Sequence, residues 1–333
     1  MDTMLRRIKV VPLAAESLGV RSLCTYVETP DVRVLLDAGV SIPPRRFRLP
    51  PHPLEFEAIR KSRQKIAEFA EKANVVTISH YHFDHHTPSY EDWLCNWTST
   101  ETAQQIYEGK LVLVKNYREN INASQRRRGW TFEKTGGKHA ENLEFVDGKT
   151  FAFGETKLNF SHSVPHGAPN SPLGWLVMTT IEHEDEKMMF ASDVQGPLDN
   201  ATLSIIQAEK PQLLVVGGPP LYLVGFRVSE ERIQRSLKNL EALSKMVPVT
   251  IVDHHLLRDQ DWREPMKHVF QSAKAANNEV VTAAAFLGQE EQLLEAKRKQ
   301  LFEKHPPSSD FKRWSKLPDL KQSKTKPPLA HAN

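Results

Sequence analysis

Cysteine is nearly absent from the 333-residue chain: only Cys24 and Cys95 occur, far apart in sequence. That excludes a disulfide framework, leaves room for one bridge at most, and points to a reducing cytoplasm. No apolar run approaches the roughly 20 residues that span a bilayer. The opening stretch, Met1-Asp2-Thr3-Met4-Leu5-Arg6-Arg7, lacks the apolar core of a secretory leader. No membrane association is therefore expected. Positive charge is scarce where a nucleic-acid clamp would need it. The net charge is +3, but ten Lys/Arg against three Asp/Glu fall from Lys297 onward, leaving 34 basic and 38 acidic residues in the body. Such a body does not wrap a long duplex, and any broad attraction to polyanions belongs to the tail or to local patches. No repeat of fixed period is found. At 39% hydrophobic and 26% charged residues, the composition is that of an ordinary globular protein with enough apolar content for one large core or two small ones.

Histidine, by contrast, is concentrated at one place. Ser79-His80-Tyr81-His82-Phe83-Asp84-His85-His86 follows Val75-Val76-Thr77-Ile78, an apolar run that reads as a buried strand. Alternate positions of an extended chain share a face. His80, His82 and Asp84 are thus expected to converge while Tyr81 and Phe83 turn into packing, and His85 joins where the chain bends. Imidazoles and a carboxylate at a strand end suit zinc or a similar divalent ion. Other potential ligands also stand where apolar strands give way to loops: His166, Asp193 after Phe190-Ala191-Ser192, and His254-His255 after Val249-Thr250-Ile251-Val252-Asp253. Strand ends gathered on one edge hold loop donors rigidly.

Around these points, strands are expected at 8–13, 21–28, 32–37 and 75–79, with an amphipathic helix at 54–72. Residues 87–140 read as an irregular insert holding a helix near 101–108 and a strand at 111–115. The insert carries Gln125-Arg126-Arg127-Arg128-Gly129-Trp130-Thr131-Phe132, either a solvated basic loop or a contact for single-stranded nucleic acid or phosphorylated ligands. Further strands are expected at 151–153, 157–161, 213–216, 249–252 and 280–286, and as a pair at 174–178 and 187–192. Helices are expected at 201–208, 229–245 (capped by Ser229), 262–275 and 290–303. Both halves open with strands and continue with alternating strand and helix. The domain reading is one catalytic body over 1–304 and a basic Pro/Lys-rich tail, 305–333, expected to be disordered.

The order His80-x-His82-x-Asp84-His85, His166 followed eight residues later by Gly174-Trp175, then Asp193, then His254, resembles the metallo-β-lactamase superfamily of metal-dependent hydrolases. Asp37, ending Leu35-Leu36-Asp37, matches the structural aspartate of the first motif. The resemblance covers roughly residues 8–288, and the doubled His85-His86 and Asp253-His254-His255 are similar to a largely archaeal branch. It implies an α/β fold, a four-layer αββα sandwich with metals at the edge between the two sheets. It also implies two divalent ions, zinc first, with manganese or iron as alternatives. One ion would take His80, His82 and His166, the other Asp84, His85 and His254, with Asp193 bridging. Adjacent side chains on extended backbone point apart, so only one of His254 and His255 is expected as a ligand, and His254 is preferred because, like His80, it follows its strand after one intervening polar residue. Asp37 and Asp253 are expected to orient ligating imidazoles. His86 is read as a helix-start or substrate-facing residue, His162 as a core or outer histidine, and His52, His139, His183, His268, His305 and His331 as surface positions.

The implied chemistry is hydrolysis by a hydroxide shared between two ions about 3.5–4 Å apart, with Asp84, Asp193 and His82 as the residues on which turnover depends. The expected substrate is a small molecule or short nucleic acid. The basic aromatic stretch leans toward phosphodiester or phosphorylated substrates; thioesters, lactones and other carboxylic esters or amides are the alternative. An iron-dependent redox protein, or a non-catalytic binding protein on the same fold, is the competing class.

Overall fold

The computed structural model describes residues 5–169 and 171–329. Its first sheet runs in the order of the chain: β1 (Lys9–Pro12), β2 (Thr25–Glu28), β3 (Arg33–Leu36), β4 (Val75–Ile78), β5 (Leu111–Val114) and β6 (Asn142–Phe145). The first three strands pair antiparallel, and β3 through β6 pair parallel. Helices α1 (Pro53–Ala70), α2 (Thr100–Tyr107) and α3 (Ala123–Lys134) make the crossovers.

The second half repeats the plan. β7 (Thr150–Phe153) and β8 (Thr156–Phe160) begin it, followed by a short pair, β9 (Val164–Pro165) and β10 (Trp175–Leu176), outside the main sheet. Then come β11 (Thr179–His183), β12 (Glu186–Ala191), α4 (Asn200–Glu209), β13 (Leu213–Gly217), α5 (Glu230–Ser244), β14 (Val249–Asp253), α6 (Lys267–Ala275), β15 (Glu279–Val281), α7 (Ala283–Phe286), α8 (Arg298–Lys304), α9 (Ser309–Trp314) and α10 (Asp319–Lys324). The seven-stranded sheet has the order β15-β14-β13-β12-β11-β8-β7, with parallel pairing from β12 to β15.

Three apolar clusters define four layers. Val27, Val34, Val75 and Leu113 of the first sheet meet Leu158, Ile181, Phe190 and Val215 of the second between the sheets. The alternate residues of the same strands face outward: Val76 and Val112 pack on Ile59 and Ile66 of α1, and Leu214 and Val216 pack on Leu237 and Leu240 of α5. Parallel strands covered on both faces must be apolar at every position, and β4, β13 and β14 are buried throughout. The architecture is the αββα sandwich that the resemblance implied.

Several expectations are corrected. The strand after Gly174 begins at Thr179, because Trp175 and Leu176 pair with Val164 and Pro165; β11 rather than 174–178 is the partner of β12. β6 was not anticipated: it is an edge strand of four residues, too short for its alternation to stand out, and none of its positions is fully buried. Residues 282–286 leave the sheet as α7, capped by Thr282, and the expected helices at 262–275 and 290–303 are confined to Lys267–Ala275 and Arg298–Lys304. Both cysteines are free thiols.

The tail is the largest correction, over the part that the structure describes; residues 330–333 lie outside it. Residues 309–324 form α9 and α10, and Phe311 and Trp314 are buried against Phe56 of α1, with ring centroids 6.0 and 5.3 Å away. Arg298 anchors the approach. Its wholly buried guanidinium pairs with Glu55 at 2.7 and 2.8 Å and donates to the carbonyls of Leu49 and Pro43. Two aromatics bury enough area to outweigh the ordering entropy of a short polar segment. Trp314→Ala is expected to lower unfolding free energy by about 3–5 kcal/mol in a denaturant titration; an unchanged midpoint would mean that α9 does not hold α1.

Glu295 makes a second clamp in the same region. Burial would raise its carboxyl, but Arg21, at 2.6 and 2.7 Å, holds it down to about 2. A carboxylate depressed in the folded state stabilises fully above its unfolded pKa and loses that contribution as pH falls through the folded value. Stability is therefore expected to drop between about pH 4.5 and 2, and Glu295→Gln to flatten that limb in melts recorded across the range.

Candidate metal centre

The chain leaves the first sheet after Ile78 and turns, with His85 and His86 both donating their backbone N–H to the carbonyl of His82. The histidines are thus presented from a tight bend rather than from alternate faces of a strand. Tyr81 is buried as expected, but Phe83 is only partly buried and lies on the wall of the cleft. Gly39 permits the bend. A Cβ there would lie 2.3 Å from the backbone nitrogen of His86 and 2.5 Å from that of His85.

Four loops meet here: those after β4, β12 and β14 leave the carboxyl ends of parallel strands, and the one bearing His166 follows the short antiparallel strand β9. His80, His82, His166 and Asp193 have donor atoms within 4.8 Å of one another, as do Asp84, His85 and His254. Asp193 joins the two groups. Its Oδ2 lies 2.9 Å from His166 Nε2, 3.4 Å from His80 Nε2 and 3.3 Å from His85 Nε2, and its Oδ1 lies 2.9 Å from His254 Nε2. His254 also stands 3.7 Å from Asp84. The seven residues carried over from the resemblance therefore come together. His255 is adjacent, 3.6 Å from Asp193, and lines the cleft.

The outer contacts are partly new. Asp37 accepts from Ser79 N at 2.7 Å, from Ser79 Oγ at 2.5 Å and from His85 Nδ1 at 2.8 Å, fixing that ring as the sequence suggested. Asp253 touches no imidazole; it accepts from the backbone N–H of Ser17, His254 and Ala283. The carboxylate that fixes His254 is Glu16, 2.7 Å from Nδ1 and 2.6 Å from Arg258 Nε. Neither Glu16 nor Arg258 was foreseen. Glu16 sits in a short turn before Gly19 with no ligand beside it, and its only sequence signal was an acid in an otherwise apolar stretch. His162 is exposed rather than an outer histidine, while His52 and His183 are buried: His52 caps α1 and His183 bonds Thr156.

The electrostatics match what a cation would need. Burial pushes the His80 imidazole down to about 3 and His82 well below its usual range. Burial alone would raise Asp84 and Asp193, but His85 and His254 hold both well below the usual carboxylate range. His254 itself is held up to about 9, burial being outweighed by Asp193 and Glu16. Fit to metal can be judged from the donors. His166 Nδ1 and Nε2, Asp193 Oδ1 and His255 Nε2 are buried without a hydrogen-bond partner. Imidazole nitrogens face each other at 3.0 Å (His80–His82) and 3.3 Å (His85–His254). Orphaned buried polar atoms cost about 1–3 kcal/mol each, and facing lone pairs repel unless a proton or cation lies between them. The donor set fits divalent cations.

Sequence comparison supplies the family. The chain is 46% identical over 294 residues to the UPF0282 protein of Methanopyrus kandleri, covering 88% of this chain and 99% of that protein. A UPF0282 protein of Thermococcus gammatolerans is 44% identical over 295 residues, covering 88% and 95%. The chain belongs to the UPF0282 protein family. It is thus of the archaeal branch that the sequence suggested. No family model matches it. Among solved structures it is similar to the metallo-β-lactamase fold protein YhfI from Bacillus subtilis, at TM-score 0.48 and 13% identity, covering 83% of this chain and 97% of that one.

In this UPF0282 chain the basic stretch of the insert is no loop. It is α3, capped by Asn122, and it braces both ligand loops. Gln125 accepts from Tyr81 N at 3.2 Å and donates to the carbonyl of Leu173 at 2.5 Å, while Asn122 donates to that of Pro172 at 2.7 Å. Gly129 lets the helix approach: a Cβ there would sit 2.5 Å from Tyr117 Cβ and 2.8 Å from the Tyr81 ring. Alanine is worth about 1 kcal/mol over glycine inside a helix, but overpacking costs about 1–3 kcal/mol. Gly129→Ala is therefore expected to destabilise, and a raised melting temperature would show that α3 does not press on Tyr81.

Proposed function

We propose that this protein is a dinuclear metal-dependent hydrolase of the metallo-β-lactamase type, acting on a phosphodiester or phosphorylated substrate. The observation that carries the reading is Asp193, which lies between the two groups: its Oδ2 is near His80 and His166 of one and His85 of the other, and its Oδ1 is near His254. One ion would be held by His80, His82 and His166, the other by Asp84, His85 and His254, with Asp193 between them. Bound there, divalent ions supply Lewis-acid polarisation and a water acidic enough to ionise near neutral pH. The chain itself contributes orientation. Asp37 and Glu16 fix the rings of His85 and His254, so that each offers Nε2 inward. Asp84 faces the cleft, with Arg258 3.6 Å away, and is the carboxylate positioned to orient an attacking water.

The cleft encloses about 630 Å³, and among its arginines Arg128 alone has no carboxylate within 4 Å among the described residues, which supports an anionic substrate over a neutral lactone. All donors are nitrogen or oxygen; zinc is the first expectation, and manganese or iron suits the same set. The free thiols accord with a reducing cytoplasm, and among the described residues no helix is long and apolar enough to cross a membrane.

Metal analysis joined to a substrate panel tests the reading. Purified protein is expected to carry about two ions per chain and to turn over a phosphodiester in preference to a thioester or lactone. His82→Ala or Asp193→Ala should lose metal and turnover together. Full activity in the His82→Ala protein would overturn the assignment.

A further inference from the structure

Three arginines face the cleft, and two are already neutralised. Arg21 is bound through two nitrogens to Glu295, and Arg258 is 2.6 Å from Glu16. Arg128, on α3, has no carboxylate within 4 Å among the described residues. Its one hydrogen bond there is a long 3.4 Å contact to the carbonyl of Tyr81, and its guanidinium lies 4.4 Å over the ring of Phe83. A half-buried cation has lost part of its hydration, and a ligand anion is what restores the balance.

Phe83, Tyr90 and Arg128 also wall a second pocket, of about 340 Å³, which is bounded further by His86, Thr131 and Phe132. Its aromatic surfaces are mutually fixed: Phe83 meets Tyr90 edge to face at 5.9 Å, and His86 meets Phe132 at 5.8 Å. The two spaces therefore adjoin across one arginine. An anion near the donor cluster and a flat ring in the side pocket would both touch Arg128, one through its N–H groups and one through its planar face.

We propose that the cleft takes a nucleotide unit, its phosphoryl group held beside Asp84 by Arg128 and its base seated between Phe83, Tyr90 and Phe132. The proposal rests on the hydrolase reading and adds the class of substrate to it. Bases of any identity stack on aromatic and guanidinium planes, and the hydroxyl of Thr131 offers a partner for a base edge. A lactone or simple acyl ester brings no anion to Arg128, and a bare phosphate leaves the side pocket empty.

Titration calorimetry on the full-length, metal-loaded protein distinguishes these cases, with inorganic phosphate, adenosine, adenosine monophosphate and uridine monophosphate as probes. At least one monophosphate is expected to bind about tenfold or more tightly than phosphate or adenosine. Arg128→Ala should weaken the monophosphate by at least about tenfold, with Arg128→Lys recovering part of the loss. Thr131→Trp, which fills the side pocket, should bring the monophosphate down to the affinity of phosphate and leave phosphate unchanged. Equal binding of phosphate and both monophosphates by the unmutated protein would overturn the proposal, as would a Thr131→Trp protein that keeps the nucleotide preference. Because the readout is binding with metal content measured on the same samples, such a failure leaves the hydrolase reading standing, whereas missing metal would sink that reading instead.

Discussion

A single buried carboxylate on the wall of the cleft sets the terms for everything around it. Asp193 lies between imidazoles delivered by both sheets, at 2.9 Å from His166 and from His254. Five histidines and two aspartates, most of them buried, are unfavourable as bare side chains, because each either loses solvation or repels a neighbour. The cluster persists because the layers behind it are rigid. β4 and β14 are buried at every position and β12 at every position but Lys187, and Val177 N donates to Ser79 O at 3.0 Å where the two halves meet. The cost of assembling the site is met by the fold, and the inward donors left unpaired are what a cation would satisfy.

The backbone carries part of that cost. Asp37, Gln195 and His254 all have positive φ, at 49°, 58° and 66°. Non-glycine residues in the left-handed region persist only when their surroundings over-determine them. At His254 the determining contacts are visible: its N–H is held by Asp253 Oδ1 at 2.8 Å and its ring by Glu16 at 2.7 Å. Asp253 acts on the chain path, and Glu16 on the ring. Together they turn the imidazole inward just past the strand, where extended backbone would have sent it elsewhere.

Much of this was legible from residue order alone, for a physical reason. Ligands at the ends of apolar runs announce themselves, since a strand buried on both faces is a continuous hydrophobic string and the polar residue that ends it stands out. His80, Asp193 and His254 were singled out in that way, whereas the layers were implied by the family resemblance. What escaped was whatever depends on contacts distant in sequence. Glu16 reaches His254 across 238 positions, and nothing local marks it. Phe311 and Trp314 sit in a polar, lysine-rich segment whose composition predicted disorder; two rings in the right place outweighed it. The loop reading of 125–132 failed because three consecutive arginines masked the buried positions Gln125, Gly129 and Phe132, spaced for one helical face.

That helix links the two levels of the molecule. Its inner face carries Gln125 and Gly129, which hold the turn after β4 and the loop after His166 at fixed separation. Its neighbouring face carries Arg127 and Arg128, which line the side pocket. On the proposed reading, one helix would position donors on one side and meet the charge of the substrate on the other. The two roles would then be coupled through a single helix of about three turns, in which Gly129 packs on Tyr81 and no ion pair joins Arg128 to Asp84 among the described residues.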